Sequence, residues 1–333
     1  MTAPLRLGIV GAGAIAGAHV AALAGSKEVT VSVVADTRLE AADALAAACG
    51  ADAVGDHRAV LGRCEAVLLC TPPSTHAPIA VELLESGLPV LCEKPLATSI
   101  SGAIAMLEAA RRTGLPFSMA SKFRFVADVV EARRMVQAGD LGEVLLLENV
   151  FATRVDMRGR WNADPAVSGG GVLIDNGTHS VDLVRSILGS VSEVAAVEAR
   201  RVQGLAVEDT ARLFLRTVDG ASATCDLSWS IDKQRHDFLE IAGTRGTVQV
   251  GWKGSRYLLD DGRGWVSLGT GYDKVAALRG VVENFACAVR GTCEPRVTPE
   301  DALASVLVID GAYASLRQDH WVGVPEGAVQ AWA

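Results

Sequence analysis

Three groups of residues in this chain have the types and spacing to do chemistry. Val90-Leu91-Cys92-Glu93-Lys94-Pro95 is an apolar run that delivers a carboxylate and an ammonium, then stops at a proline. Asp175 and His179 stand one helical turn apart, a carboxylate beside an imidazole, the side chain that titrates near neutral pH unassisted. Gly11-Ala12-Gly13-Ala14-Ile15-Ala16 follows an apolar run and opens a helical pattern. Lysine and histidine suit proton transfer and the polarisation of an oxygen. The turn suits a pyrophosphate. Its first Gly allows a tight bend, its second lets backbone approach, and the small third position lets helix pack on strand. Phosphates would then rest on the Ala14 and Ile15 amides at the helix N-terminus.

Asp36 ends the second apolar run at about the ~20-residue spacing of a ribose-binding carboxylate. It would accept from the adenosine ribose hydroxyls and repel a 2′-phosphate. NAD is therefore the expected cofactor, while Arg38 keeps NADP open. Thr71-Pro72-Pro73-Ser74-Thr75-His76 leaves the next strand as an extended turn, with Ser74 or Thr75 as a helix cap, and is placed beside the cofactor. Lysine is scarce, six against twenty-five arginines, and an amine at 94 can change its proton affinity where a guanidinium cannot. Plainer readings stand beside each of these. Glu93-Lys94 could close a strand at the surface, Asp36 could be a turn residue, and the Thr71 turn could be an ordinary helix start.

The elements that position these residues alternate. Strands are expected at Leu5–Val10, Thr30–Ala35, Ala66–Cys70, Pro89–Cys92 and Phe117–Ala120. Helices are expected up to Ala24 and at Leu39–Cys49, Thr75–Ser86 and Ser101–Thr113. Short buried strands alternating with helices imply a parallel, doubly wound sheet. After about residue 121 the pattern changes. A helix at Val126–Ala138, a strand at Val144–Val150 and a polar loop at Arg154–Ser168 lead to Gly169-Gly170-Gly171 and a helix to Leu188. Five strands follow without helices, from Val191 to Trp252, then helices at Val275–Arg290 and from Thr298 to Leu316. In Ser222–Ser230, Ala223, Cys225, Leu227 and Trp229 alternate with polar residues, so one face is buried. On the helix to Leu188, Asp175, His179, Asp182 and Ser186 share one face, and periodicity alone reads that face as solvated. Gly177, on its buried side, implies close packing, and Gly169-Gly170-Gly171 implies close approach of backbone to something. Domains are expected at 1–121 and 122–333, with the last helices returning to the first domain and the cleft between the halves forming the site.

Composition narrows the function. A chain of 333 residues is long enough for two cores. Its net charge of -8 argues against nucleic acid and against a polybasic membrane surface. Seven scattered cysteines without a Cys-x-x-Cys pair suggest reduced thiols in a cytoplasmic protein, and no clustered ligands suggest a metal. Leu7 to Ser26 carries no Asp, Glu, Lys or Arg. Its five glycines favour strand-then-helix over a membrane span or signal peptide.

Together, the Gly11 turn, Thr71-Pro72-Pro73 with His76, Glu93-Lys94-Pro95, Arg124-Phe125, and Trp161 followed by Gly169-Gly170-Gly171, Asp175, Gly177, His179 and Asp182 resemble the Gfo/Idh/MocA family of glucose-fructose oxidoreductase and inositol dehydrogenase. The resemblance spans most of the chain. It implies an α/β fold: an N-terminal doubly wound Rossmann domain plus a C-terminal α/β domain with an open, predominantly antiparallel sheet. It implies dimers or tetramers through that sheet, which would suit a face of Thr224, Asp226 and Ser228. It further implies NAD(P)-linked oxidation or reduction of a sugar or cyclitol, with Lys94, Asp175 and His179 at catalytic positions and a cis peptide before Pro95. In that scheme His179 is the base, Asp175 orients substrate or His179, and Lys94 bonds the reacting oxygen. Glu93 contacts the nicotinamide ribose or orients Lys94. Lys122, Arg124, Arg154, Arg158, Arg160 and Trp161 lie on the substrate side. The alternatives are a glycoside hydrolase that retains NAD and a non-catalytic dinucleotide or sugar sensor.

Overall fold

Runs too apolar to face water on either side build the first sheet. The computed structural model describes residues 3–325. One unit comprises the chain up to Lys122 with Lys274–Leu303, the other Phe123–Asp273 with the chain from Ala304. The first contains β1 (Leu5–Val10), α1 (Ala14–Leu23), β2 (Val29–Ala35), α2 (Leu39–Cys49), β3 (Asp52–Val54), β4 (Ala66–Leu69), α3 (His76–Glu85), β5 (Val90–Cys92), α4 (Ile100–Thr113) and β6 (Phe117–Met119). The strands pair in the order β3-β2-β1-β4-β5-β6, all parallel. Every residue of β4, β5 and β6 is buried, as a sheet covered on both faces requires. The strand order reverses beside β1, the switch point where such sheets bind ligands. Register aligns the strand ends: Val10 pairs with Ala35 and Leu69, Leu69 with Cys92, and Cys92 with Met119. Gly11, Asp36, Cys70 and Glu93 therefore leave the sheet along one edge.

The second unit contains α5 (Ala127–Gln137), β7 (Val144–Ala152), α6 (Pro165–Ser168), α7 (Val172–Leu188), β8 (Val191–Glu198), β9 (Thr210–Thr217), β10 (Ser222–Ser228), β11 (Asp237–Gly243), β12 (Gly246–Gly251), β13 (Ser255–Leu259) and β14 (Val266–Gly269). After α8 (Lys274–Val289) come α9 (Pro299–Gln318) and β15 (Val322–Gly323). Among the described residues nine strands form one sheet, β14-β13-β12-β11-β7-β10-β9-β8-β15. Only β7–β10 is parallel. Strands β3, β13, β14 and β15 were not expected; at two to five residues they are too short to show a period. The alternation in β10 holds for Ala223, Cys225 and Leu227, all buried. Ser228, expected on the outer face, is instead 1% exposed and hydrogen-bonded to Thr210 Oγ1 at 2.8 Å. The loop expected at Arg154–Ser168 holds α6, whose first turn is capped by Asp164 accepting from the Ala166 amide.

Within the first unit, α8 lies against α1. Arg279 donates to Ala22 O and Ala24 O at 2.7 and 2.9 Å, and Ser26 Oγ donates to Glu283. Thr298 Oγ1 accepts from the Asp301 amide, capping α9 with Pro299 in its first turn.

Helix α7 departs from its amphipathic pattern. His179 is 8% exposed and Asp182 1%, so the face read as solvated is turned into protein. Asp182 finds an arginine there, described below, and beside that face Ser180 Oγ donates to the amide oxygen of buried Asn149. Gly177 packs as expected, with a Cβ placed there 3.2 Å from Ile309 Cδ1 and Leu227 Cδ1. What Gly170 and Gly171 approach is the protein itself. A Cβ on Gly171 would lie 2.0 Å from Glu208 O, and one on Gly170 1.9 Å from the Tyr313 hydroxyl oxygen. Glu208, 4% exposed, accepts at Oε1 from the Gly171 and Leu173 amides at 2.9 and 3.0 Å and from Tyr313 at 2.8 Å. It thus satisfies amides that the helix leaves without intrahelical acceptors. Burial pushes its carboxyl up, and these hydrogen bonds pull the other way without cancelling the rise. Gly171→Ala must displace backbone at Glu208 and is expected to destabilise the fold by about 2 kcal/mol or more. A thermal melt several degrees below that of the parent protein is the readout; an unchanged melt contradicts the packing described.

Candidate active site

The residues of the first unit meet at the carboxyl edge of its parallel sheet. Gly11 has φ +96°, and a Cβ there would lie 2.7 Å from the Cys70 carbonyl carbon. Only glycine makes that turn. Gly13 differs: a Cβ placed there would meet nothing within 4 Å. It opens α1, whose first turn has no acidic residue and no side-chain cap. Open space in front of uncapped helix amides is what a pyrophosphate needs, so the residues present fit a dinucleotide. Ala14 and Ile15 are the first two residues of that helix. Asp36 braces the turn. Its Oδ2 accepts from the Ala12 amide at 2.8 Å and its Oδ1 from the Arg38 amide at 2.8 Å. Arg38 itself is largely exposed, its Nε 3.7 Å from Asp36 Oδ1.

The Thr71 turn is built otherwise than expected. Neither Ser74 nor Thr75 caps α3; Thr75 Oγ1 bonds Thr71 Oγ1 and Pro72 O, each at 2.8 Å. His76 is 1% exposed, with Nε2 2.8 Å from Thr71 O and Nδ1 2.9 Å from Pro95 O. Burial lowers its pKa, against the raising effect of those carbonyls. Its ring therefore ties the Thr71 turn to the segment after Lys94. The Lys94-Pro95 peptide is cis.

Glu93, 6% exposed, lies with Oε1 2.7 Å from His19 Nε2, and its Oε2 accepts from the Lys94 amide at 3.0 Å. Of the two roles expected for Glu93, this geometry favours orienting Lys94. Burial opposes its ionisation, but the His19 hydrogen bond and the charges of His19, Lys94 and Lys122 outweigh that and hold its carboxyl below the ordinary range. Lys94 and Lys122 are half-buried. His19 was missed at the sequence level. The signal was present: within Leu7–Ser26, otherwise free of ionisable side chains, it is the single one.

In the second unit, Asp175 is half-buried in the first turn of α7 and His179 is buried one turn on. The His179 ring stands edge-on to Phe123, centroids 5.0 Å apart at 80°, and 6.4 Å from Phe151. Phe123 stacks on Phe151 and Tyr272, and Phe238 and Trp252 extend the cluster. Burial raises the Tyr272 phenol to about 12. These rings, scattered through the sequence, carried no periodic signal. Arg124, expected to face substrate, is 7% exposed and turned to Asp182: Nε to Oδ1 and Oδ2 at 3.0 and 2.9 Å, Nη2 to Oδ1 at 2.7 Å. It fixes α7. Arg158 is exposed and paired with Asp156 at 2.7 Å, while Arg154 and Arg160 are exposed. Trp161 begins a 3-10 turn and is 45% exposed.

Comparison with known proteins fits this arrangement. Residues 5–121 match an oxidoreductase family with an NAD-binding Rossmann fold, and residues 129–249 match the GFO/IDH/MocA C-terminal domain. Inositol 2-dehydrogenase of Rhizobium meliloti (strain 1021) is 26% identical, covering 96% of this chain and 99% of its own. GenD2 from gentamicin A biosynthesis, solved in complex with NAD, is 26% identical with a TM-score of 0.84, over 98% of this chain and 97% of that one. Levoglucosan dehydrogenase, solved with NADH and levoglucosan, shares the fold at 22% identity and a TM-score of 0.89, over 97% of this chain and 100% of that one. With both matches in chain order, and with the glycine turn, the Glu93-Lys94-Pro95 strand end and the Asp175–His179 helix in place, this chain belongs to the GFO/IDH/MocA family of oxidoreductases.

Proposed function

We propose that this protein transfers a hydride between NAD and a secondary hydroxyl or keto carbon of a sugar, a sugar derivative or a cyclitol. One arrangement carries the reading: the open, uncapped helix start at Gly13 and, on the same sheet edge, Lys94 at the end of β5. The relatives named above, an inositol 2-dehydrogenase and a levoglucosan dehydrogenase, support the substrate class. Asp36, a carboxylate beside the turn, supports NAD over NADP.

Bound nicotinamide supplies the hydride acceptor, or the donor in reverse. The chain does the rest. Lys94 donates a hydrogen bond to the reacting oxygen and stabilises the negative charge that develops on it. His179, its ring plane set by Phe123, removes the hydroxyl proton. Asp175 orients substrate or His179. Arg124 acts through Asp182, holding α7 rather than substrate. Lys122, Arg158 and Trp161 belong to the substrate side.

No helix among the described residues is long and apolar enough to cross a membrane. All seven cysteines are free thiols, which supports a cytoplasmic setting. The sheet of the second unit is assigned to a homodimer or homotetramer, supported by Leu145 and Leu146, 50% and 56% exposed on its central strand β7. Light scattering measures that assembly.

NADH formation with a panel of inositols, glycosides and anhydrosugars tests the activity. Lys94→Ala is expected to lower kcat by about a hundredfold or more with the melt unchanged, and His179→Ala by about a hundred- to ten-thousandfold. Full turnover in either variant removes that residue from the mechanism. Gly13→Ala separates fold from cofactor. Its Cβ meets no protein atom within 4 Å, so the melt stays where it is, but the methyl enters the pyrophosphate's space. NADH affinity, read by fluorescence, is expected to fall about tenfold or more; unchanged affinity would place the cofactor elsewhere.

A further inference from the structure

Two features of the first unit lie on separate elements: the helix that begins at the glycine turn, and Lys94 after β5. One buried contact joins them. His19 lies on the inner face of α1, 0% exposed, with Nε2 2.7 Å from Glu93 Oε1. A carboxylate only accepts, so the proton of that hydrogen bond is on Nε2. The other oxygen of the same carboxylate accepts from the Lys94 amide at 3.0 Å. The Glu93 amide donates to Leu69 O at 2.9 Å, which fixes the backbone from which the carboxylate reaches out. Both side chains are almost wholly enclosed, and such a pair has few alternative geometries.

We propose that His19 is the positioning residue of Lys94. It clamps the Glu93 carboxylate, which holds the Lys94 backbone in the orientation that aims the ammonium. The helix that receives the pyrophosphate and the residue that polarises the reacting oxygen are thereby one mechanical piece. This rests on the catalytic reading of Lys94, and the experiment keeps the two apart.

The charged and titratable groups around Glu93 are His19 on α1, Cys70 after β4, His76 on α3, Cys92 and Lys94 beside it in sequence, and Lys122 after β6. With His19 gone, burial raises the Glu93 carboxyl and less opposes it. It then takes up its proton at higher pH, and its hold on Lys94 fails there first. The hold that needs the carboxylate is present above its folded pKa and lost as pH falls through it, so removal of His19 moves that loss to higher pH.

The variants are His19→Leu, which removes the donor, and His19→Gln, whose amide nitrogen can take the place of Nε2. In His19→Leu, kcat is expected to fall about tenfold or more, with NADH affinity and KM for the sugar little changed. His19→Gln is expected to recover most of the loss. In a Lys94→Ala background His19→Leu is expected to cost almost nothing more, because it acts through the lysine. A readout independent of turnover uses the protein's six lysines. After reductive 13C-methylation, the signal missing from Lys94→Arg identifies Lys94, and His19→Leu is expected to move it. An unmoved Lys94 signal, or a His19→Leu enzyme with unchanged kcat, overturns the proposal. If Lys94→Ala retains full turnover, the catalytic reading of Lys94 fails instead, and the labelled signal still decides whether His19 positions it.

Discussion

The first amides of a helix have no acceptors within it, and the two units meet that constraint in opposite ways. At α7 the protein supplies the acceptor, a buried carboxylate on Glu208 that takes two amides and the Tyr313 hydroxyl. No side chain larger than hydrogen fits at Gly171, because the Glu208 backbone presses against it. At α1 no side chain caps the amides and the space before Gly13 is open. The first solution makes α7 a fixed platform for Asp175 and His179. The second leaves electropositive amides facing open space, which is the condition for holding an anion.

Buried charge follows the same division of labour. Arg124 meets Asp182 through its fork, with three contacts of 3.0 Å or less. His19 meets Glu93 through one short contact. Neither pair is a strong net source of stability, since each side chain gives up its hydration. Removing one member of the Arg124–Asp182 pair, however, strands the other and costs about 3–5 kcal/mol. What each pair contributes is direction. One sets the rotation of α7, and the other sets the backbone at Lys94.

Much of the frame was legible in the sequence because strands buried on both faces leave continuous apolar runs. Leu5–Val10 coincides with the strand formed there, and the alanine-rich run Leu39–Cys49 with a helix. Thr298-Pro299 announced the start of α9 because capping is local chemistry. Periodicity alone was insufficient on α7 for a physical reason. Periodicity reports which face is polar, not whether water or protein satisfies it, and here Arg124 meets Asp182. Arg124 was placed with substrate because sequence shows a charge without its partner, which lies fifty-eight residues away. The triple glycine announced a close approach truly, and its neighbours are Tyr313 at Gly170 and Glu208 at Gly171. His19 stands out among the alanines of α1 as the single ionisable side chain, but the sequence does not show that its partner is Glu93, seventy-four residues on.

The chain returns to its first unit late. Arg279 and Glu283 on α8 bind the end of α1 and the loop after it, and Arg290 binds Glu28 and the backbone of Ala3 and Glu28. These contacts join positions more than 250 residues apart. As the protein emerges from the ribosome, the six parallel strands are all made by residue 119, yet α8 has not been translated. The whole nine-stranded sheet but its last edge strand is synthesised in the interval. An N-terminal fragment ending near residue 122 would carry the complete parallel sheet with the surface that α8 covers still exposed. The dinucleotide half, first in the sequence, is therefore completed only after most of its neighbour has been synthesised.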